Sequence, residues 1–160
     1  MGLNNRYPTV IEAFLQIALK KAPFVTRGDY SGTHLREMAL WEKCGITPGE
    51  GWYLFYPGVV GNMGALRFAR EKKAYMLTDT ASFLLSRSEG EMKVFVKSGL
   101  AGELANIFDL TLVNPEKVPS SRLKEASLFA RWLRKEGGST IIAEFGRNTY
   151  GRELFVPLHN

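Results

Sequence analysis

Apolar residues recur at helical spacing near the start of the chain. Val10, Ile11, Phe14, Leu15, Ile17 and Ala18 form a broad stripe, which predicts a helix over Pro8 to Lys21. Pro8 suits its first turn, and Lys20 and Lys21 suit its last. Phe24-Val25-Thr26 predicts a short strand. Gly32 to Lys43 predicts a helix with apolar residues on two sides, Leu35, Met38 and Ala39 on one and Leu40, Trp41 and Cys44 just beyond on the other. Such a helix is expected between two neighbours. Trp52 to Tyr56 is aromatic and reads as a short strand or an irregular wall. Asn62 to Lys73 predicts a helix with a glycine-rich entry. Ala74 to Leu77 predicts a strand, Thr78-Asp79-Thr80 a cap, and Ala81 to Ser86 a short helix. Further strands are expected at Lys93 to Val96, Leu110 to Val113 and Phe155-Val156. Ser120 to Lys135 predicts a helix with an apolar face of Leu123, Ala126, Phe129, Ala130 and Leu133, and a basic one of Lys124, Arg131, Arg134 and Lys135. Gly137-Gly138 should break it before a second helix from Ser139 to Phe145.

Strands alternate with helices, so the expected class is α/β. With 160 residues the chain suffices for one domain with a core. Hydrophobic residues make up 45% and charged ones 23%, which excludes a disordered composition. The net charge of +5 suits an anionic ligand, but no block of like charges points to nucleic acid. The lone cysteine, Cys44, excludes an intramolecular disulfide and a cysteine-based metal cluster. No stretch reaches the roughly 20 apolar residues that span a bilayer.

The strand at Phe24 runs into Arg27-Gly28-Asp29-Tyr30-Ser31-Gly32-Thr33-His34 and then into a helix. A helix N-terminus offers backbone N–H groups to an anion. Arg27 adds a planar cationic fork, Ser31 and Thr33 add hydroxyl donors, and Gly28 and Gly32 let the backbone bend and approach closely. Asp29 is the only carboxylate; it suits an orienting partner for Arg27 better than a contact to a dianion. Gly61-Asn62-Met63-Gly64 opens another helix and can turn amides to the same cleft, or simply cap and pack. Ser31 also suits a plain helix N-cap. His34 lies too close in sequence to Ser31 and Asp29 for a catalytic triad, and no nucleophile elbow is present. Only His159 accompanies it, so a histidine metal site is not expected. No catalytic residue and no cofactor are expected.

Thr26 to His34 resembles the second binding loop, S-R-G-D-D-S-G-T-H, of the tungstate-binding proteins of tungstate ABC transporters, which are type II periplasmic binding proteins. Leu40-Trp41-Glu42-Lys43-Cys44-Gly45-Ile46 is similar to the family's L-W-x-x-x-G-I. Gly61-Asn62-Met63-Gly64-Ala65 resembles G-Q-G-M-G-A in altered form, and Ala74 to Asp79 resembles A-Y-T-L-T-D. Val113 to Lys117 and Ile142 to Gly146 also fit. The departures are Thr26 for Ser, Tyr30 for Asp, the weakened loop at Gly61, and the absence of the family's N-terminal lobe segment with its Thr/Ser-rich loop.

The resemblance implies a type II periplasmic-binding-protein-like α/β fold. Residues 1–160 would form a single domain, with the second lobe over about 23–96 and a return segment of the first lobe over 110–160. It implies non-covalent binding of tungstate, or molybdate, through Arg27, Ser31, Gly32, Thr33, Gly61, Asn62 and Met63, with hand-over to a transporter permease and no enzymatic step. Selectivity would come from cavity size. The family location is periplasmic or extracellular. No signal-type apolar core follows Met1-Gly2-Leu3-Asn4-Asn5-Arg6, so either the chain is a fragment or Met1 starts a shortened cytoplasmic relative, a sensor or interaction domain. Self-association could cover the lobe surface left open; a monodisperse monomer in solution would count against it.

Overall fold

The computed structural model describes residues 9–58, 61–87, 90–96, 102–135 and 137–158. They form two compact units, one ending at Asn106 and the other beginning at Ile107.

The first unit is built on Phe24, Val25 and Thr26. All three are buried, as a strand covered on both faces requires, and they form β1 (Phe24–Thr26). Strand β2 (Tyr53–Phe55) pairs with it in parallel, in the register Phe24↔Tyr53, Val25↔Leu54 and Thr26↔Phe55. Helix α2 (Gly32–Lys43) connects the two, since parallel neighbours need a long crossover. On the other edge of β1, Tyr75 forms a single parallel bridge to Phe24. The Val25 amide donates to the Tyr75 carbonyl at 2.8 Å, and the Tyr75 amide to that of Pro23 at 2.8 Å. The strand expected over Ala74 to Leu77 therefore shrinks to one bridge.

Helix α1 (Val10–Leu19) is shorter than the expected Pro8 to Lys21. Pro8 lies outside the described residues. Thr9 caps the helix: its hydroxyl accepts from the Glu12 amide at 3.1 Å, and the Glu12 carboxylate accepts from the Thr9 amide at 3.3 Å. The core gathers Val10, Phe14, Ile17, Phe24, Leu40, Trp41 and Trp52. The Phe14 and Trp41 rings lie 4.3 Å apart, and the Phe24 and Trp41 rings cross edge to face at 5.2 Å. Helices α3 (Asn62–Glu71) and α4 (Thr80–Leu85) complete the unit, α3 burying Ala65, Leu66 and Ala69.

Two expectations fail here for a physical reason. Helix α2 is not apolar on two buried sides: Leu35 and Met38 are exposed, while the inward stripe reads His34, Glu37, Leu40 and Trp41. Lys93 to Val96 forms no strand, although Phe95 and Val96 pack on the core, because no described strand pairs with it.

The second unit contains α5 (Leu123–Lys135), α6 (Gly137–Glu144) and the short α7 (Arg147–Tyr150). Leu110 to Val113 and Phe155-Val156, expected as strands, are irregular, with no described partner strand. Gly137-Gly138 starts α6 instead of separating two helices. A Cβ at Gly138 would stand 2.6 Å from the Leu133 Cα, so glycine permits the close α5–α6 turn. Ala126, Ala130 and Leu133 of the α5 apolar face are half-buried, whereas Leu123 and Phe129 remain exposed. Among the described residues, no helix is long and apolar enough to cross a membrane.

Candidate functional site

The loop after β1 turns sharply, with Gly28 at φ +63° and Tyr30 at φ 54°. A Cβ on Gly28 would meet the Phe55 ring at 2.8 Å, so both conformation and space call for glycine there. Gly32 has an ordinary φ and no neighbour around its Cβ position; its expected bending role is not seen, and the space beside it is open. Ser31 is the N-cap of α2, its Oγ accepting from the His34 amide at 3.4 Å. His34 Nδ1 accepts from the Tyr30 amide at 2.9 Å, a local bond that pins the loop to the helix. The Thr33 hydroxyl, on a half-buried residue, makes no side-chain hydrogen bond among the described residues.

Arg27 and Asp29 form an ion pair in which both side chains are about nine-tenths buried. Asp29 Oδ2 accepts from Arg27 Nε at 3.0 Å and also from Nη2, while Oδ1 accepts from the Ser31 amide at 3.1 Å. Burial pushes the Asp29 carboxyl up, but Ser31 and the Arg27 guanidinium outweigh it and hold the pKa down at about 2. Asp29 thus orients Arg27, and its own acceptor atoms are occupied.

Arg27 Nη1 donates to Asn62 Oδ1, across 35 residues of sequence. Asn62 Nδ2 in turn donates to Asp79 Oδ2 and, at 3.2 Å, to Ser82 Oγ. Asp79 caps α4 through the Ser82 amide at 2.7 Å. One polar chain therefore ties the loop after β1 to the N-termini of α3 and α4. The three helices α1, α2 and α4 begin with a side-chain cap; α3 begins at Gly61, φ +146°, without one. Among the described residues nothing accepts from its first amides, at Asn62, Met63 and Gly64, although the Tyr56 hydroxyl lies where a Cβ on Gly64 would stand. Met63 is 46% exposed, so its side chain does not close the place. Arg27 thus meets the start of α3 through Asn62, and among the described residues one N–H on each of Nη1 and Nη2 has no partner. Such an arrangement has the charge and the donors that an anion needs.

Behind the loop lies Glu37, only 2% exposed, which no sequence motif marks. Its Oε1 accepts from Tyr53 Oη at 2.6 Å and Trp41 Nε1 at 3.3 Å. The available signal was its place between His34 and Trp41 on the inward stripe. The buried Thr26 hydroxyl faces the same carboxylate, close enough to favour its ionised form, but makes no well-formed hydrogen bond to a described partner. Burial raises the Glu37 pKa to about 7, despite these donors, and ionised Glu37 in turn helps push the Tyr53 phenol up. The folded protein therefore holds this proton more tightly than the unfolded chain, whose carboxyl sits near 4.5. The associated stability is full below that value and declines as pH rises to about 7. A shift of this size corresponds to about 3 kcal/mol. Glu37→Gln is expected to flatten this decline, leaving the variant more stable than wild type above neutral pH. Urea melts at several pH values check it; parallel curves for the two proteins would refute it.

No family model matches the chain. The tungstate-binding protein TupA of Peptoclostridium acidaminophilum is 32% identical to it over 148 residues, 92% of this chain and 50% of that protein. Over those residues the chain is similar to tungstate-binding proteins. A putative ABC transporter anion-binding protein of Haloferax volcanii is 33% identical over 149 residues, covering 91% of this chain and 42% of its own length. The chain thus spans half or less of the length of these two relatives. In three dimensions it is similar to the tungstate-binding protein TupA of Desulfovibrio alaskensis, with a TM-score of 0.70 and 27% identity over 95% of this chain and 61% of that one. The resemblance carried by the motifs from Thr26 to Gly146 is met by similarity over 92% of the chain, and the α/β, periplasmic-binding-protein-like fold class holds. The named relatives are binding proteins.

Proposed function

We propose that this chain carries one wall of a site for a tetrahedral oxyanion, tungstate first and molybdate next. The observation that carries this is the meeting of buried Arg27 with the uncapped start of α3 through Asn62. A dianion needs donors from several directions and few competing acceptors. Arg27 supplies fixed charge, the α3 amides supply oriented dipoles, and the Thr33 hydroxyl, with no described partner, is a further donor. Asp29 does not oppose the ligand, because its oxygens are already engaged by Arg27 and Ser31. Ser31 and Gly32 frame the site from α2, and Gly61 and Met63 from α3. A rigid frame of donors selects by radius, and tungstate and molybdate are larger than sulfate.

In this reading residues 23–96 supply the second lobe of a solute-binding protein, and residues from about 110 onward return to the first. The bound oxyanion passes unchanged to an ABC transporter permease, at a periplasmic or extracellular surface, and no bond is made or broken. Isothermal titration of the purified 160-residue chain tests the binding step. Heat with tungstate and molybdate, and none with sulfate, is the expected result. Equal response to sulfate, or no heat with any of the three, would overturn the proposal.

A further inference from the structure

We propose that Glu37 couples oxyanion capture at Arg27 to the uptake of one proton from solvent onto its own carboxylate. This rests on reading Arg27 as the oxyanion ligand. The argument starts from what surrounds the carboxylate. From β2 comes the Tyr53 phenol, and from β1 the Thr26 hydroxyl. Its own helix contributes the Trp41 indole, while His34 turns its Nδ1 to the Tyr30 amide instead. The face that α1 buries is apolar, made of Val10, Ala13, Phe14 and Ile17. No described cation is bonded to Glu37, so its negative charge is held by neutral dipoles alone.

Thr26 immediately precedes Arg27 in the chain, so a single Cα–Cα step of about 3.8 Å separates the residue that faces the carboxylate from the residue that carries the guanidinium. A dianion arriving at Arg27 repels an ionised Glu37 through a poorly solvated interior, where such repulsion is weakly screened. The system relieves it by protonating Glu37. Neutral Glu37 keeps both donors, Tyr53 and Trp41, and gains an O–H for which the orphaned Thr26 oxygen is a neighbour. By linkage, an anion that raises the proton affinity of Glu37 binds more weakly wherever the free protein has lost that proton. The free carboxyl titrates near 7, so affinity is level below that value and falls above it.

The test is calorimetric titration of the full chain with micromolar tungstate. In HEPES and in Tris at about pH 7.5, the difference in apparent heat is expected to report uptake of about half a proton per anion. Affinity is expected to be about tenfold higher at about pH 6.5 than at about pH 8.5. Glu37→Gln should abolish the uptake and the pH dependence while still binding. Tyr53→Phe, which removes a donor that favours the ionised form, should move the fall in affinity to higher pH and provides a second route if Glu37→Gln folds poorly. Wild-type binding with no proton uptake, or an unchanged pH dependence in Glu37→Gln, would overturn the coupling and leave the oxyanion site standing. Absence of tungstate heat in the wild type would instead overturn the site and the coupling with it.

Discussion

Arg27→Ala is expected to lose tungstate binding by at least about a hundredfold. Each charge-assisted hydrogen bond from a guanidinium contributes about 1.5–3 kcal/mol, and Arg27 has N–H directions left on both terminal nitrogens. Two such bonds amount to about 3–6 kcal/mol, or roughly two to four powers of ten in affinity. The substitution has a second consequence. It leaves Asp29 buried without its cation, held only by Ser31. Removing one partner of a buried pair costs about 3–5 kcal/mol, so the variant should also melt earlier. Arg27→Lys separates the two effects. Lysine keeps a positive charge beside Asp29 but cannot engage Asp29 and Asn62 with one planar fork. It should fold, and bind tungstate roughly tenfold more weakly. A folded Arg27→Ala protein that titrates like wild type would remove Arg27 from the site. The Asp29 carboxyl adds a pH signature of opposite sign to that of Glu37. Its folded pKa lies near 2, below its ordinary 3.8, so its stabilising contribution is present above that ordinary value and disappears as pH falls toward 2.

The local elements around this site were legible in the chain because local chemistry decides them. Phe24-Val25-Thr26 reads as a short strand, and Gly32–Lys43 as a helix for which Ser31 also suits a cap; both elements occur with the expected bounds. Asp79 reads as a cap from its position before Thr80, and it is one. What could not be read is who meets whom. Arg27 and Asn62 are separate candidates until the fold of β1 against α3 joins them. Strand character at Lys93 to Val96 and Leu110 to Val113 depends on a partner strand, and β-propensity alone cannot supply one. Glu37 is the clearest failure of pattern reading. A charged side chain scores as surface in any periodicity count, yet its carboxylate lies inside, where tyrosine and tryptophan donors receive it. Burial of polar groups is decided by three-dimensional satisfaction, which a hydropathy pattern does not encode.

Phe24→Ala is expected to destabilise the first unit by about 3–5 kcal/mol, the usual cost of emptying a fully buried phenylalanine position. Phe24 is 1% exposed and touches the core from its centre, edge to face with Phe14 at 5.5 Å and with Trp41 at 5.2 Å, and stacked with Tyr53 at 6.1 Å. Little around it can collapse into the space. Its backbone is equally committed: its amide donates to the Trp52 carbonyl at 2.7 Å, and Tyr75 bridges it on the other edge. A melting temperature lower by roughly 15 °C should follow for a unit of this size. Leu19→Ala is the control, since Leu19 is 76% exposed and its truncation should change stability by no more than about 0.5 kcal/mol. The core change should also reach the ligand. Two residues, Val25 and Thr26, separate Phe24 from Arg27 along the chain, and the strand they complete fixes where the guanidinium points. Loosening β1 should therefore weaken tungstate binding even at temperatures where Phe24→Ala remains folded, whereas Leu19→Ala should bind as wild type. Thermal melts combined with titration decide it. Equal melting of the two variants would show that the ring cluster does not hold the unit together. A destabilised Phe24→Ala with wild-type affinity would show that the Arg27 loop is positioned by its own bonds to Asp29 and Asn62, independently of the core beneath it.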